Sequence, residues 1–275
     1  AWPDLAPGHP AADARDVRRP MNRKGDERGA NVFQVKSSPF EGSKPWQSRA
    51  WIQLLAAVLG VLPLYWTLIA LQLRGSQGIS LQGFIFYFSV ISPVSIVIVL
   101  LLLRFLCGEN PKSLNLKAGT ISRDLLATLI LSVVIIAASI ISFGLLSRLL
   151  ADSTSNTSVR KLFVELAGNP RLLALFLGLL LFLGAASEEV VRAFFLSRLW
   201  NAWPSIAGKS VAVVISAGLF GLMHLYQGLI HVLWAGIFGL IMALYYLRFG
   251  RIGPLVLAHY VTNALQVVVF AANAQ

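Results

Sequence analysis

The chain has 275 residues, 56% apolar and only 13% charged, with a mean hydropathy of +0.71 and a formal net charge of +11. A soluble domain is roughly 45–50% apolar and about 25% charged, so this excess cannot be hidden in one water-soluble core. Wholesale disorder, a disulfide-stapled secreted module and a soluble enzyme are excluded. The expected fold class is all-α, a polytopic transmembrane helical bundle of about 7–8 spans.

The charge is unevenly placed. Residues 1–50 hold 9 of the 23 Lys+Arg and 6 of the 12 Asp+Glu, with no apolar run to offset the entropy of ordering them. Residues 1–48 are therefore expected to form a disordered basic and polar tail. No signal peptide is apparent, because no apolar stretch follows the first charges. Met21, followed by Asn22-Arg23-Lys24, reads as a native start, so that residues 1–20 are expected to lie outside the working protein. From Pro45-Trp46 to Trp51 the chain supplies the aromatic, basic collar of a membrane interface.

Residues 49–275 read as the transmembrane domain. Seven apolar segments follow in order, over 51–73, 84–105, 125–146, 172–199, 211–225, 229–247 and 252–270. Each is long and continuous, which implies helices and not the ten-residue alternation of a barrel. An eighth, short or re-entrant helix near residues 200–208 would upset the topology. Seventeen Lys and Arg fall on the side of the N-terminus and five on the other, with Arg192 left inside the fourth segment. That bias predicts a cytoplasmic N-terminus and an external C-terminus. The basic residues occupy the tail and short loops, not a stripe, so no nucleic-acid partner is expected. Cys107 is the lone cysteine, which excludes an intrachain disulfide and a multi-cysteine metal cluster. Small residues recur four apart in Ala56/Gly60, Ala217/Gly221 and Ala235/Gly239, a spacing that lets helices approach closely.

Ionisable groups at membrane depth are costly and need a reason. Three places stand out. Within the fourth segment, Ser187-Glu188-Glu189-Val190-Val191-Arg192 puts two acids three and four residues from one base. Either carboxylate can reach the guanidinium. Because neighbours on a helix point about 100° apart, the other then faces elsewhere, toward a cavity where it would serve as a general base. The bland alternative is a buried salt bridge that fixes helix register, but two acids against one base leave a charge unexplained. Phe220 and His224 share a helical face, as do His259 and Asn263. Either pair alone is ordinary interhelical packing and hydrogen bonding. His231 has no polar companion at helical spacing and is assigned to packing. Taken together, the acids, imidazoles and amide supply what hydrolysis of a carbonyl requires: a group to deprotonate water and donors to hold an oxyanion. The same set can instead be read as zinc ligands, Glu188, His224 and His259.

The order Glu-Glu…Arg, Phe-x-x-x-His, His-x-x-x-Asn resembles the CPBP intramembrane endopeptidases, the bacterial relatives of the CAAX prenyl protease also called the Abi family. The flanking Arg192-Ala-Phe-Phe-Leu-Ser-Arg-Leu-Trp200 and Phe220-Gly-Leu-Met-His-Leu-Tyr-Gln-Gly228 are similar as well. The resemblance covers about a third of the chain and implies a catalytic core over about residues 171–272. It implies a CAAX-protease-like endopeptidase in a bacterial inner membrane, acting on a peptide or membrane-protein substrate, with prenylation left open. Glu188 and His224 would bind and activate water, His259 and Asn263 would line the oxyanion site, and Glu189 and Arg192 would form a supporting pair. No cofactor is implied, with zinc the alternative. One departure matters: the family spaces its Arg five residues from the first Glu, whereas Glu188 and Arg192 are four apart. Arg192 then either neutralises Glu188 itself or meets a local bulge that restores the spacing, and the choice of base between Glu188 and Glu189 stays open. A proton-coupled transporter and a non-catalytic immunity or scaffold protein are the rival readings from other classes. A further tension is axial, since His224 ends its span while His259 lies near the start of its own.

Overall fold

The computed structural model describes residues 48–74, 80–114, 120–150 and 157–272. The expected tail, with Met21 and the Pro45-Trp46 end of the collar, lies outside them. Eight helices account for nearly all of the described residues: α1 (Ala50–Arg74), α2 (Leu81–Cys107), α3 (Ile121–Leu149), α4 (Thr157–Ala167), α5 (Pro170–Ala202), α6 (Ile206–Met223), α7 (Leu229–Phe249) and α8 (Gly253–Ala272). No strand occurs among the described residues. All but α4 are long and apolar enough to cross a membrane, and they coincide with the seven segments read from the sequence. The fold is an all-α, multi-pass helical bundle.

No eighth span forms near residues 200–208. Trp203 and Pro204 end α5, and Ser205 starts α6, its hydroxyl oxygen accepting from the Gly208 N–H at 3.0 Å. The helix not anticipated is α4. Its apolar Leu162 and Leu166 are buried while Lys161 is exposed, and it packs on α8. Eleven residues are too few to cross a bilayer, so hydropathy over a span-length window passes over it.

Helix α5 is the axis of the bundle, packed by α1, α2, α6 and α8. Its residues from Ser187 to Leu196 are all buried, whatever face they occupy. By contrast α3 turns Leu125, Leu129 and Val133 outward, as a lipid-facing helix should. Small residues bring α6 and α7 together: a Cβ on Gly221 would stand 2.7 Å from the Val232 carbonyl oxygen, and one on Gly239 3.2 Å from the Phe220 Cβ. Gly60 likewise accommodates the Phe194 ring on α5.

Two polar ties cross the bundle. Arg198, which charge counting places on the N-terminal side, is 1% exposed. Its Nη1 and Nη2 donate to Glu109 at 2.6 and 2.9 Å, and Nη1 also donates to the Gln53 side-chain oxygen at 2.9 Å. One guanidinium thus pins α5 to α1 and to the chain just after α2. Elsewhere Arg251, between α7 and α8, pairs with Asp124 at the start of α3. Cys107 is a free, fully buried thiol closing α2.

Candidate active site

The polar residues of α5 separate by burial and partner. Helix α5 is regular from Leu181 to Ala202, and its one π-helical turn, Phe176–Leu180, precedes the motif. No bulge therefore intervenes between Glu188 and Arg192. Arg192 takes Glu189, not Glu188: its Nη1 donates to both Glu189 oxygens, at 2.5 and 2.6 Å. The same guanidinium lies 4.1 Å over the centre of the Phe220 ring, a cation–π contact from α6. Its Nε and Nη2 have no hydrogen-bond partner among the described residues, so aromatic faces supply their environment.

Glu189 is fully buried and also receives His259, whose Nδ1 donates to Glu189 Oε1 at 2.7 Å. That bond orients the imidazole so that Nε2 faces Glu188, with Oε2 3.6 Å away. Phe238 packs edge-on against the ring, centroids 4.8 Å apart. Next to His259, the Tyr260 hydroxyl donates at 2.9 Å to the Leu177 carbonyl, inside the π-helical turn of α5 where the regular ladder is interrupted. Tyr260 therefore locks α8 to α5 one residue from the imidazole.

His224 ends α6. Its Nδ1 donates to the Phe220 carbonyl at 2.9 Å, which leaves Nε2 as the accepting nitrogen. Burial pulls this imidazole down to about 4, so it is neutral at physiological pH. A 3₁₀ turn, Leu225–Gln227, follows, and Gly228 (φ 97°, ψ 170°) takes a conformation reserved for glycine before α7 begins. The turn carries Tyr226 beside His224, ring centroids 6.3 Å apart, and the Gln227 amide donates to the Tyr226 oxygen at 2.6 Å. Burial pushes the Tyr226 phenol up.

Glu188, His224, His259 and Asn263 line one cavity of ≈ 90 Å³. That is room for several waters by the usual measure. Asn263 lies one helical turn beyond His259, as its spacing predicts. The axial tension is resolved because α6 starts at Ile206 and because the cavity is deep. Its wall follows α7 from His231 to Phe238, about 10 Å along the helix.

Sequence reasoning missed part of this lining. His231, assigned to packing for want of a helical companion, reaches the cavity, as do Tyr226, Gln227 and Gln266. So does an aromatic wall of Phe84, Phe88, Phe163 and Phe176 from α2, α4 and α5. No spacing rule connects residues so far apart in the chain. Among the described residues no group of three His, Cys, Asp or Glu side chains is placed to hold a metal ion.

Residues 170–265 match the Rce1-like family, type II CAAX prenyl endopeptidases. The matched segment runs from the start of α5 into α8. It contains all six residues of the polar set and none of α1 to α4. No curated protein and no solved structure matches the chain. A segment similar to the Rce1-like family thus sits within a multi-pass membrane bundle.

Proposed function

We propose that the protein is an intramembrane endopeptidase in which Glu188 activates a water molecule. The observation that carries this reading is the division of labour between adjacent carboxylates. Glu189 is engaged by Arg192 and His259, whereas Glu188 reaches the cavity without a guanidinium partner.

The chemistry follows from that placement. Glu188, with His224 Nε2 as second acceptor, takes a proton from water as its oxygen attacks the carbonyl carbon of a peptide bond. The oxyanion that develops is received by His259 and by the Asn263 side-chain amide. Collapse of the tetrahedral intermediate breaks the C–N bond, and the proton held by Glu188 passes to the leaving amine. Two carboxylates against one guanidinium leave one negative charge over. With Nδ1 given to Glu189, His259 donates to the oxyanion only when Nε2 also carries a proton, and the cation so formed offsets the charge of Glu188, whose Oε2 lies 3.6 Å away. Glu189 and Arg192 orient His259 and touch no reacting atom. The reaction needs no metal. The N-terminus is cytoplasmic, following the bias of basic residues, and the membrane is a bacterial inner membrane.

The deciding experiment reconstitutes purified protein in vesicles with a farnesylated CAAX peptide and an unprenylated copy. Cleavage lost in Glu188→Gln and retained under a strong chelator is the expected result. Full activity in Glu188→Gln removes the assignment, and loss of activity on chelation with restoration by zinc selects the metal-dependent alternative. Cleavage of the prenylated peptide alone identifies prenylation as a requirement.

A further inference from the structure

Tyr87 lies on α2, outside the segment matched to the family and about a hundred residues from the motif. It is 1% exposed, and its hydroxyl has no hydrogen-bond partner among the described residues. A buried hydroxyl left unpaired loses its hydration for nothing in return, so such groups need an explanation. The carboxylate within reach of this hydroxyl is Glu188, with no hydrogen bond formed between them. A π-helical turn, Tyr87–Ile91, opens at this residue, a distortion often found where helices serve functional sites. The ring itself is held edge-on by Phe88, 5.2 Å between centroids, and Phe88 lines the cavity.

We propose that Tyr87 is a positioning residue for Glu188. Its phenol O–H donates to one carboxylate oxygen and thereby holds the other toward the cavity, where the water is activated. The proposal rests on Glu188 being the base. The other groups around that carboxylate carry hydrogen bonds of their own. Glu189 and Arg192 pair with one another, His259 is tethered to Glu189, and the Tyr226 oxygen accepts from Gln227. Tyr87 is the one of them whose side chain makes no hydrogen bond at all among the described residues.

The test is Tyr87→Phe, which keeps the ring and its packing and removes only the hydroxyl. Infrared spectra of the full-length protein in nanodiscs assign the Glu188 carboxyl bands by their loss in Glu188→Gln. The expected result is that Tyr87→Phe moves those bands, lowers kcat on the farnesylated CAAX peptide about tenfold and leaves KM and the thermal midpoint unchanged. Bands and kcat equal to those of the parent protein overturn the proposal, as does a band shift with unaltered kcat. Retained cleavage by Glu188→Gln would instead sink the choice of base, leaving the infrared comparison to decide whether Tyr87 donates to Glu188. Where the parent protein does not cleave this peptide, the infrared comparison decides in the same way.

Discussion

Glu189 Oε1 and His259 Nδ1 are 2.7 Å apart, joined across seventy residues of chain. This bond links the two ends of the matched segment and settles which way the imidazole points. It also explains why two adjacent acids are present: one orients the histidine and neutralises Arg192, and the other is released to the cavity. The shortened spacing between Glu188 and Arg192 causes no loss of this arrangement, because Arg192 reaches back three residues to Glu189, not four to Glu188.

The two glutamates should therefore respond differently to substitution. Glu188→Gln is expected to lower kcat about a thousandfold, within the roughly 10²–10⁴ range of general-base catalysis, with little change in stability. Glu189→Gln leaves Arg192 buried without its counter-charge and should cost about 3–5 kcal/mol of stability as well as activity. Peptide cleavage and thermal unfolding, measured on the same preparations, separate the two. Equal losses of stability in both variants would contradict the assignment.

His224 carries a pH dependence of known sign. Its folded value, about 4, lies below the ordinary 6.5, so the unfolded chain takes up this proton first. Stability is then flat above pH 6.5 and falls as the pH drops toward 4, by about 3 kcal/mol in all. Thermal midpoints between pH 4 and 7 should show that slope in the parent protein and a shallower one in His224→Gln. Parallel profiles would refute it.

Close approach of α6 and α7 gives a steric prediction. A methyl group on Gly221 meets backbone on α7, the Val232 carbonyl and the Gly236 nitrogen, and neither can swing aside. Gly221→Ala should cost about 1–3 kcal/mol and displace His224, three residues on, with loss of cleavage. Gly218→Ala, where nothing lies within 4 Å of the new carbon, is the matched control and should be neutral in both assays.

The Arg198–Glu109 pair predicts a stability effect remote from the cavity. Glu109→Ala strands a buried guanidinium and should destabilise by about 3–5 kcal/mol. Replacing both residues by leucine should recover most of that loss, since a buried pair contributes little beyond an apolar replacement. Cleavage per folded molecule is expected to stay near the parent value in the double variant. Denaturation in detergent, followed by circular dichroism, measures both effects.

The seven spans were legible in the sequence because hydropathy is a local, additive property: twenty consecutive apolar residues have one low-energy place to go. The polar set was legible for the complementary reason, since Glu188, Glu189, Arg192, His224, His259 and Asn263 stand where apolar residues would otherwise be. Helical spacing also paired His259 with Asn263 and Phe220 with His224. It could not say which of Glu188 and Glu189 pairs with Arg192, because both lie within reach of it along one helix. That choice, the tether from Glu189 to His259, and the recruitment of Tyr87, Tyr226, His231 and the aromatic wall were made by tertiary packing. Each depends on how separate helices are rotated and raised against one another, which is set by Gly221 at its seam, by Arg198 at its clamp and by Tyr260 on the π-helical turn. Rotation and height are properties of pairs of helices, and no periodicity within a single helix encodes them.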